Sequence, residues 1–201
     1  MLSLAVPGPA SSDDGDAVLE KMQAATRAAS SFTARFEPTI HMSWVVVEPD
    51  RIRRVMPSRD GEQMEDWIVI GHQSYSRDGN GPWKAGSEQV DGIRWGEIAP
   101  FLNPGTTARA LPDYTDAGTV VGALDVLLPE QPLAKGKSIK AFHMTCSYEK
   151  ATYRPRACSF QTVAKIYVTT WYEHWNDAAN VIEPPPGVPL PTPLPQASAA
   201  P

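Results

Sequence analysis

SFTARFEPTIHMSWVVVEPDRIRRVMP, residues 31–57, sets the fold class of this chain. Its side chains alternate. Phe32, Ala34 and Phe36 fall on one face, and Thr33, Arg35 and Glu37 on the other, the period-two pattern of a half-buried strand. Met42, Trp44 and Val46 carry the pattern into a second strand, Pro49-Asp50 marks a turn, and RIRRVMP extends again. Strands joined this closely pair as antiparallel hairpins.

Upstream the period changes. Val18, Met22, Ala25 and Ala29 recur at helical spacing, Asp16 is placed to cap, and Glu20 suits the positive helix start. A helix is expected from Asp16 to about Ser31, with one narrow apolar face that must pack on something else. Downstream, EDWIVIGHQSYSR (65–77) extends the sheet with a break near Gly71, DGNG (78–81) makes a tight turn, and Trp83 follows. From Gly92 to Pro112 the pattern weakens, and WGEIAPFLNPG (95–105) is expected to form a short helix. Strands resume at 119–128, 138–148, 156–160 and 165–175. The expectation is an α+β fold of one helix and about seven to nine antiparallel strands. No repeat of solenoid or propeller length appears.

The ends differ from the middle. Residues 1–12 are small and apolar, as in the remnant of a signal peptide or a disordered N-terminus. Residues 184–201 hold eight prolines and no charge and are expected to be a disordered tail. The folded domain is placed at 13–183. A net charge of −5 argues against a nucleic-acid partner, which needs a basic stripe. In the densest basic cluster Arg54 points away from Arg51 and Arg53 at strand spacing, so no stripe forms. No apolar run is long enough to span a membrane as a helix.

The two cysteines, Cys146 and Cys158, lie in FHMTCSYEKATYRPRACSF (142–160). Folding that stretch about residue 152 sets Cys146 opposite Cys158, Met144 opposite Phe160 and Tyr148 opposite Arg156, with 150–154 as the loop. Opposed Cα atoms sit about 4.5–5.5 Å apart, within disulfide range. The pair therefore reads as a disulfide, and so as a sign of an oxidising compartment, or as two buried free thiols. A metal site wants further ligands, and a redox pair wants closer spacing.

Chemistry is otherwise sparse. The four histidines are scattered, and no metal site, nucleophile elbow or phosphate loop appears. YEHWND (172–177) gathers Glu173, His174 and Asp177, residue types that a hydrolase uses, but the stretch also reads as the plain end of a strand. Neither catalysis nor a cofactor is expected. The aromatics say more. Trp44, Trp67 and Trp171 lie within strands, and one helix is thin cover for a wide sheet with a bulky apolar face. Either the sheet is concave around an apolar cavity, or that face is packed core.

The succession resembles the LolA/LolB-like lipoprotein-carrier fold, which includes mycobacterial lipid-binding lipoproteins. The resemblance runs over about residues 16–186: the helix and SFTARF, the pair WVVVEPDRIRRVM, the segment WIVIGHQSYSRDGNGPW, and the closing YEHWNDAANVIEPPPG. It implies a strongly curved antiparallel sheet, an incomplete barrel, covered by the N-terminal helix and a short helical lid. Its apolar cavity would take acyl chains of a lipid or lipidated protein. Two places depart from the family pattern. Glu48 stands where the carriers have a basic residue just before the proline. TYRP (152–155) stands for the usual glycine-leucine-proline turn. The expected cavity residues are Phe32, Phe36, Trp44, Ile68, Ile70, Trp83, Phe101, Leu102, Phe142 and Met144. A monomer, periplasmic or secreted, is expected, with an envelope protein as the alternative partner for a protein-interaction or sensing module.

Overall fold

The computed structural model describes residues 14–37, 41–48, 50–57, 63–86, 98–132, 138–162 and 165–188. The expected signal remnant at 1–12 and the tail from 189 onward lie outside these residues, as do the first three residues, 95–97, of the expected lid helix.

The helix α1 spans Gly15–Arg27. Its cap is Asp14, two residues before the expected one, and the Asp14 carboxylate accepts from the Asp16 backbone N–H at 3.1 Å. Asp16 is thereby left to bond outside the helix. Its carboxylate accepts from the Ala108 N–H at 2.6 Å and ties the helix start to the sheet. The approach is close, since a Cβ on Gly15 would come within 2.5 Å of the Ala108 carbonyl oxygen. Val18, Leu19, Met22 and Thr26 form the buried stripe.

The main sheet follows as β1 (Ser31–Glu37), β2 (Met42–Val47), β3 (Arg51–Pro57), β4 (Met64–Ile70), β5 (Gln73–Asp78), β6 (Lys84–Ala85), β7 (Thr107–Asp116), β8 (Thr119–Leu128), β11 (Phe142–Glu149), β12 (Pro155–Gln161) and β13 (Tyr167–Glu173). Short β9 (Gln131–Pro132) and β10 (Ser138–Ile139) pair with each other. The eleven strands run in the order β6-β5-β4-β3-β2-β1-β13-β12-β11-β8-β7. All their pairings are antiparallel, and the two ends, β6 and β7, do not meet, so the sheet is an open, incomplete barrel. The first six strands form one meander and the last five another, joined by the β1–β13 pairing.

The sheet is wider than the sequence suggests because β7 is hard to read. It is an edge strand whose inward residues include only the small Ala108 and Ala110, and Pro112 sits where the register shifts between Leu111 and Tyr114. Proline is tolerated at such edges and bulges. Of the short helix expected at 95–105, the described residues show one 3₁₀ turn, Pro100–Leu102.

The cysteine hairpin forms as expected at its centre. Cys146 faces Cys158 and the two are disulfide-bonded, with Cα atoms 4.1 Å apart. Its turn end differs: the register shifts between Ser147 and Tyr148, so Tyr148 faces Pro155 rather than Arg156. Tyr153 adopts φ +57, the left-handed conformation that glycine takes without strain. This is the place where the carriers have glycine. The strain at Tyr153 is offset by contacts: its ring stacks on Tyr148 at 5.8 Å, and the Lys21 ammonium of α1 lies over it at 4.9 Å.

Residues beyond 183 do not leave the sheet at once. Pro185 is buried, and Val188 packs against the cluster of Ile68, Tyr75 and Ile182. The Arg51 guanidinium donates to the Ile182 carbonyl at 2.7 Å.

Candidate functional site

Alternation gives the sheet two faces, and α1 defines the inner one. The inner face carries Phe32, Ala34 and Phe36 from β1, Met42, Trp44 and Val46 from β2, and Leu124, Val126 and Leu128 from β8. Phe142 and Met144 from β11, Val168 and Tyr172 from β13 join them. Helix residues Val18, Leu19 and Met22, with Phe101 and Leu102, lie against it. Seven of the ten expected cavity residues are therefore brought together: Phe32, Phe36, Trp44, Phe101, Leu102, Phe142 and Met144.

Ile68, Ile70 and Trp83 are not. They form a second cluster on the outer face with Tyr75 and Ile182, covered by the 181–188 segment. WIVI (67–70) is apolar on both faces, so alternation there does not say which side is inward. The inward residues of β4 are Trp67 and Val69, aligned across β3 with Arg54 and Ile52.

The two halves of the inner face differ. Over β1, β13 and β8 the space is filled. Phe101 meets Tyr172 edge-on at 5.7 Å, Phe32 stacks on Trp175 at 4.8 Å, and the buried Tyr172 hydroxyl donates to the Ile98 carbonyl at 3.0 Å. Burial pushes the Tyr172 phenol well above its ordinary value. Two side-chain bonds reach from α1 to the 3₁₀ turn: Gln23 to the Phe101 carbonyl at 2.7 Å, and Arg27 to that of Leu102 at 3.5 Å.

Over β2, β3 and β4 the face carries a mixed row. Ala34, Trp44, Arg54, Trp67 and Ser76 are aligned strand to strand. The Arg54 guanidinium lies over both indoles, 5.6 Å from the Trp44 ring and 4.8 Å from that of Trp67, a cation–π arrangement. One Arg54 Nη stands 3.7 Å from Glu65, beyond hydrogen-bond length. Two nitrogens in this row, Trp44 Nε1 and Arg54 Nε, are buried without a partner. Arg54 and Trp67 were not among the expected site residues. The readable signal was the β2–β3–β4 register.

On the outer face Arg53 and Arg77 both bind Asp66, at 2.7–2.9 Å and 2.9–3.2 Å. Burial alone would raise the Asp66 carboxyl, but these two guanidinium groups outweigh it and hold it below the usual carboxylate range. Thus Arg51, Arg53 and Arg54 split between the faces, as their spacing requires. Farther along the outer face lies an open groove of about 420 Å³ lined by Tyr114, Thr145, Ser147, Ser159, Thr169 and Trp171, among others.

The YEHWND residues make no buried constellation. Glu173 accepts from Arg35 at 3.2 Å, and His174 is 59% exposed with Asp177 3.6 Å away. Among the described residues no group of three His, Cys, Asp or Glu is placed to hold a metal ion, and no helix is long and apolar enough to cross a membrane. At the place of the carriers' basic residue, burial and the nearby Asp50 charge keep the Glu48 carboxyl above its ordinary value.

No family model matches the chain, and no curated protein matches it in sequence. Among solved structures, lipoprotein LppX of Mycobacterium tuberculosis matches with a TM-score of 0.55 and 14% identity, over 80% of this chain and 94% of that one. This chain has the LolA/LolB-like fold. A LolA superfamily protein of Nitrosomonas europaea matches at TM-score 0.33 and 10% identity (81% and 92% covered). An outer membrane lipoprotein-sorting protein domain of Vibrio parahaemolyticus matches at 0.30 and 13% (81% and 90%).

Proposed function

We propose that this protein binds the acyl chains of a lipid or lipidated protein on its inner face, without catalysis or a cofactor, in an oxidising compartment of the cell envelope. The observation that carries the reading is a mismatch of areas. Eleven strands spaced about 4.8 Å apart span about 50 Å, while α1 is thirteen residues, about 20 Å long. Among the described residues that helix and one 3₁₀ turn are the only elements laid on an apolar face of this width. Partly buried Met42, Trp67, Phe142 and Phe160 continue it outward from the filled centre. Burying acyl carbons there contributes about 0.8 kcal/mol per CH₂. The bonded cysteine pair supports the oxidising compartment. Native mass spectrometry of gently purified protein is expected to show an adduct of lipid mass that organic extraction removes. Protein that is homogeneous without extraction, and that takes up no added fatty acid, would contradict the reading.

A second reading, docking of another envelope protein, is favoured by the outer groove, where Trp171 is 39% and Tyr114 46% exposed. Trp171→Ala is expected to abolish such docking while leaving acyl binding intact. A pull-down and a lipid-binding assay on the same variant separate the two readings.

A further inference from the structure

We propose that Trp44 and Arg54 form a head-group subsite: two donors that receive the acidic oxygens, of a carboxylate or a phosphate ester, carried by an acyl ligand on the inner face. This subsite rests on the acyl-binding reading and names the chemistry of its ligand.

Four side-chain polar atoms among the described residues are buried without a partner: Trp44 Nε1, Arg54 Nε, Tyr75 Oη and Asp113 Oδ1. The last two are isolated cases. Tyr75 packs in the apolar outer-face cluster, away from Trp44 and Arg54, and the other oxygen of Asp113 is held by Lys150 at 2.5 Å. Trp44 and Arg54 are different because they face each other directly across β2 and β3. Both orphans are N–H donors, and neither side chain can accept. They cannot satisfy each other. A buried donor left unpaired is costly, and a pair of them marks a place where an acceptor from outside belongs.

The surroundings specify that acceptor. Trp44 is 5% exposed, so its N–H has little access to water. The Arg54 side chain is 25% exposed, which leaves a way in from the rim. The guanidinium lies over both indoles, contacts that narrow the choice of rotamers open to its Nε–H. Glu65 does not serve as the acceptor, since it stands 3.7 Å from an Nη and not at Nε. It does oppose an anion, and therefore limits the gain from charge. An anionic oxygen reaching this row from a chain lying along Phe36, Met42 and Trp67 gains two donors and one cation at once. A neutral head group gains less, because hydrogen bonds to charged acceptors are about twice as strong.

The test is calorimetric titration of the full chain with myristate, methyl myristate, tetradecyl phosphate and inorganic phosphate. The tighter of the two acids is expected to bind about tenfold more strongly than the ester. A lead for myristate assigns a carboxylate and a lead for tetradecyl phosphate a phosphate ester, and both support the proposal. Arg54→Met is expected to bring the acids down to the ester's affinity, with the ester changed less than about twofold. Trp44→Phe, which keeps an aromatic ring and removes the N–H, is expected to weaken the acids about fivefold. Equal binding of acid and ester by the unaltered protein, a comparison that needs no variant, overturns the subsite while leaving acyl binding standing. Inorganic phosphate binding as tightly as the acids overturns the acyl head group as its occupant. Binding by none of the four overturns the subsite and the acyl-binding reading together.

Discussion

The two halves of the inner face are built from the same strand pattern and do opposite things. Over β13, β12, β11 and β8 the buried inward positions are apolar apart from Thr170, the hairpin is cross-linked, and space is so short that a Cβ on Gly122 would come within 2.2 Å of the Tyr148 ring. Over β2, β3 and β4 the same alternation places a guanidinium between two tryptophans and leaves two donors unpaired. A protein that needed only stability would have an aliphatic residue at position 54. One half therefore holds the sheet in shape, and the other is the half that we propose a ligand completes.

Perturbing the filled half tests that division most strongly. Phe101 is fully buried against Tyr172, and Phe101→Ala is expected to destabilise by about 3–5 kcal/mol in denaturant titration. A loss below about 1 kcal/mol would mean that the turn over this half is loosely seated. Next comes the cross-link. Replacing Cys146 and Cys158 by alanine frees a connection of twelve residues, an expected loss of about 2–3 kcal/mol, visible as a lower unfolding midpoint with an unchanged circular dichroism spectrum.

The outer-face ion cluster gives a smaller, pH-dependent effect. Asp66 is almost wholly buried between Arg53 and Arg77, which are partly exposed. Asp66→Asn is expected to cost about 2 kcal/mol at neutral pH. Because the folded-state carboxyl is held below its unfolded value, its contribution is present above the unfolded pKa of about 3.9 and fades as pH falls through the lower folded value. Unaltered protein and variant are therefore expected to converge in stability at acid pH. A gap that stays constant would place the effect in packing rather than charge.

The smallest stability change is expected in the mixed row. Trp67→Phe keeps an aromatic on a partly buried position and is expected to shift stability by under about 1 kcal/mol, while weakening acyl binding severalfold. If stability fell as steeply there as at Phe101, the contrast between the halves would be lost.

Much of this architecture is legible in the chain. The helix, the hairpins from β1 to β5 and the cysteine register follow from period, turn residues and two matched strands. What escapes has physical reasons. β7 presents small residues and a proline at a bulge, so it carries no pattern strong enough to read. The inward side of β4 is hidden because Trp67, Ile68, Val69 and Ile70 form one apolar run, and a run without alternation has no sign. Ile70 and Trp83 then follow Ile68 to the wrong face. Arg54 reads as a surface charge until register places it between Trp44 and Trp67, and register is a property of three strands together. The residues after 183 look like spacer because proline and glycine dominate them, yet Pro185 is buried and Val188 packs against the outer-face cluster.

Tryptophan quenching by a brominated fatty acid decides which face holds the ligand, since the bromines quench only rings they touch. Trp44 and Trp67 face the inner side, and Trp83 and Trp171 lie on the outer side. Inner-face binding along the mixed row predicts strong quenching of the unaltered protein, loss of most of it when Trp44 and Trp67 are both replaced by phenylalanine, Trp175 on Phe32 accounting for the remainder, and no loss when Trp83 and Trp171 are. Quenching that survives the first pair of substitutions and disappears with the second would move the ligand to the outer face and contradict inner-face binding.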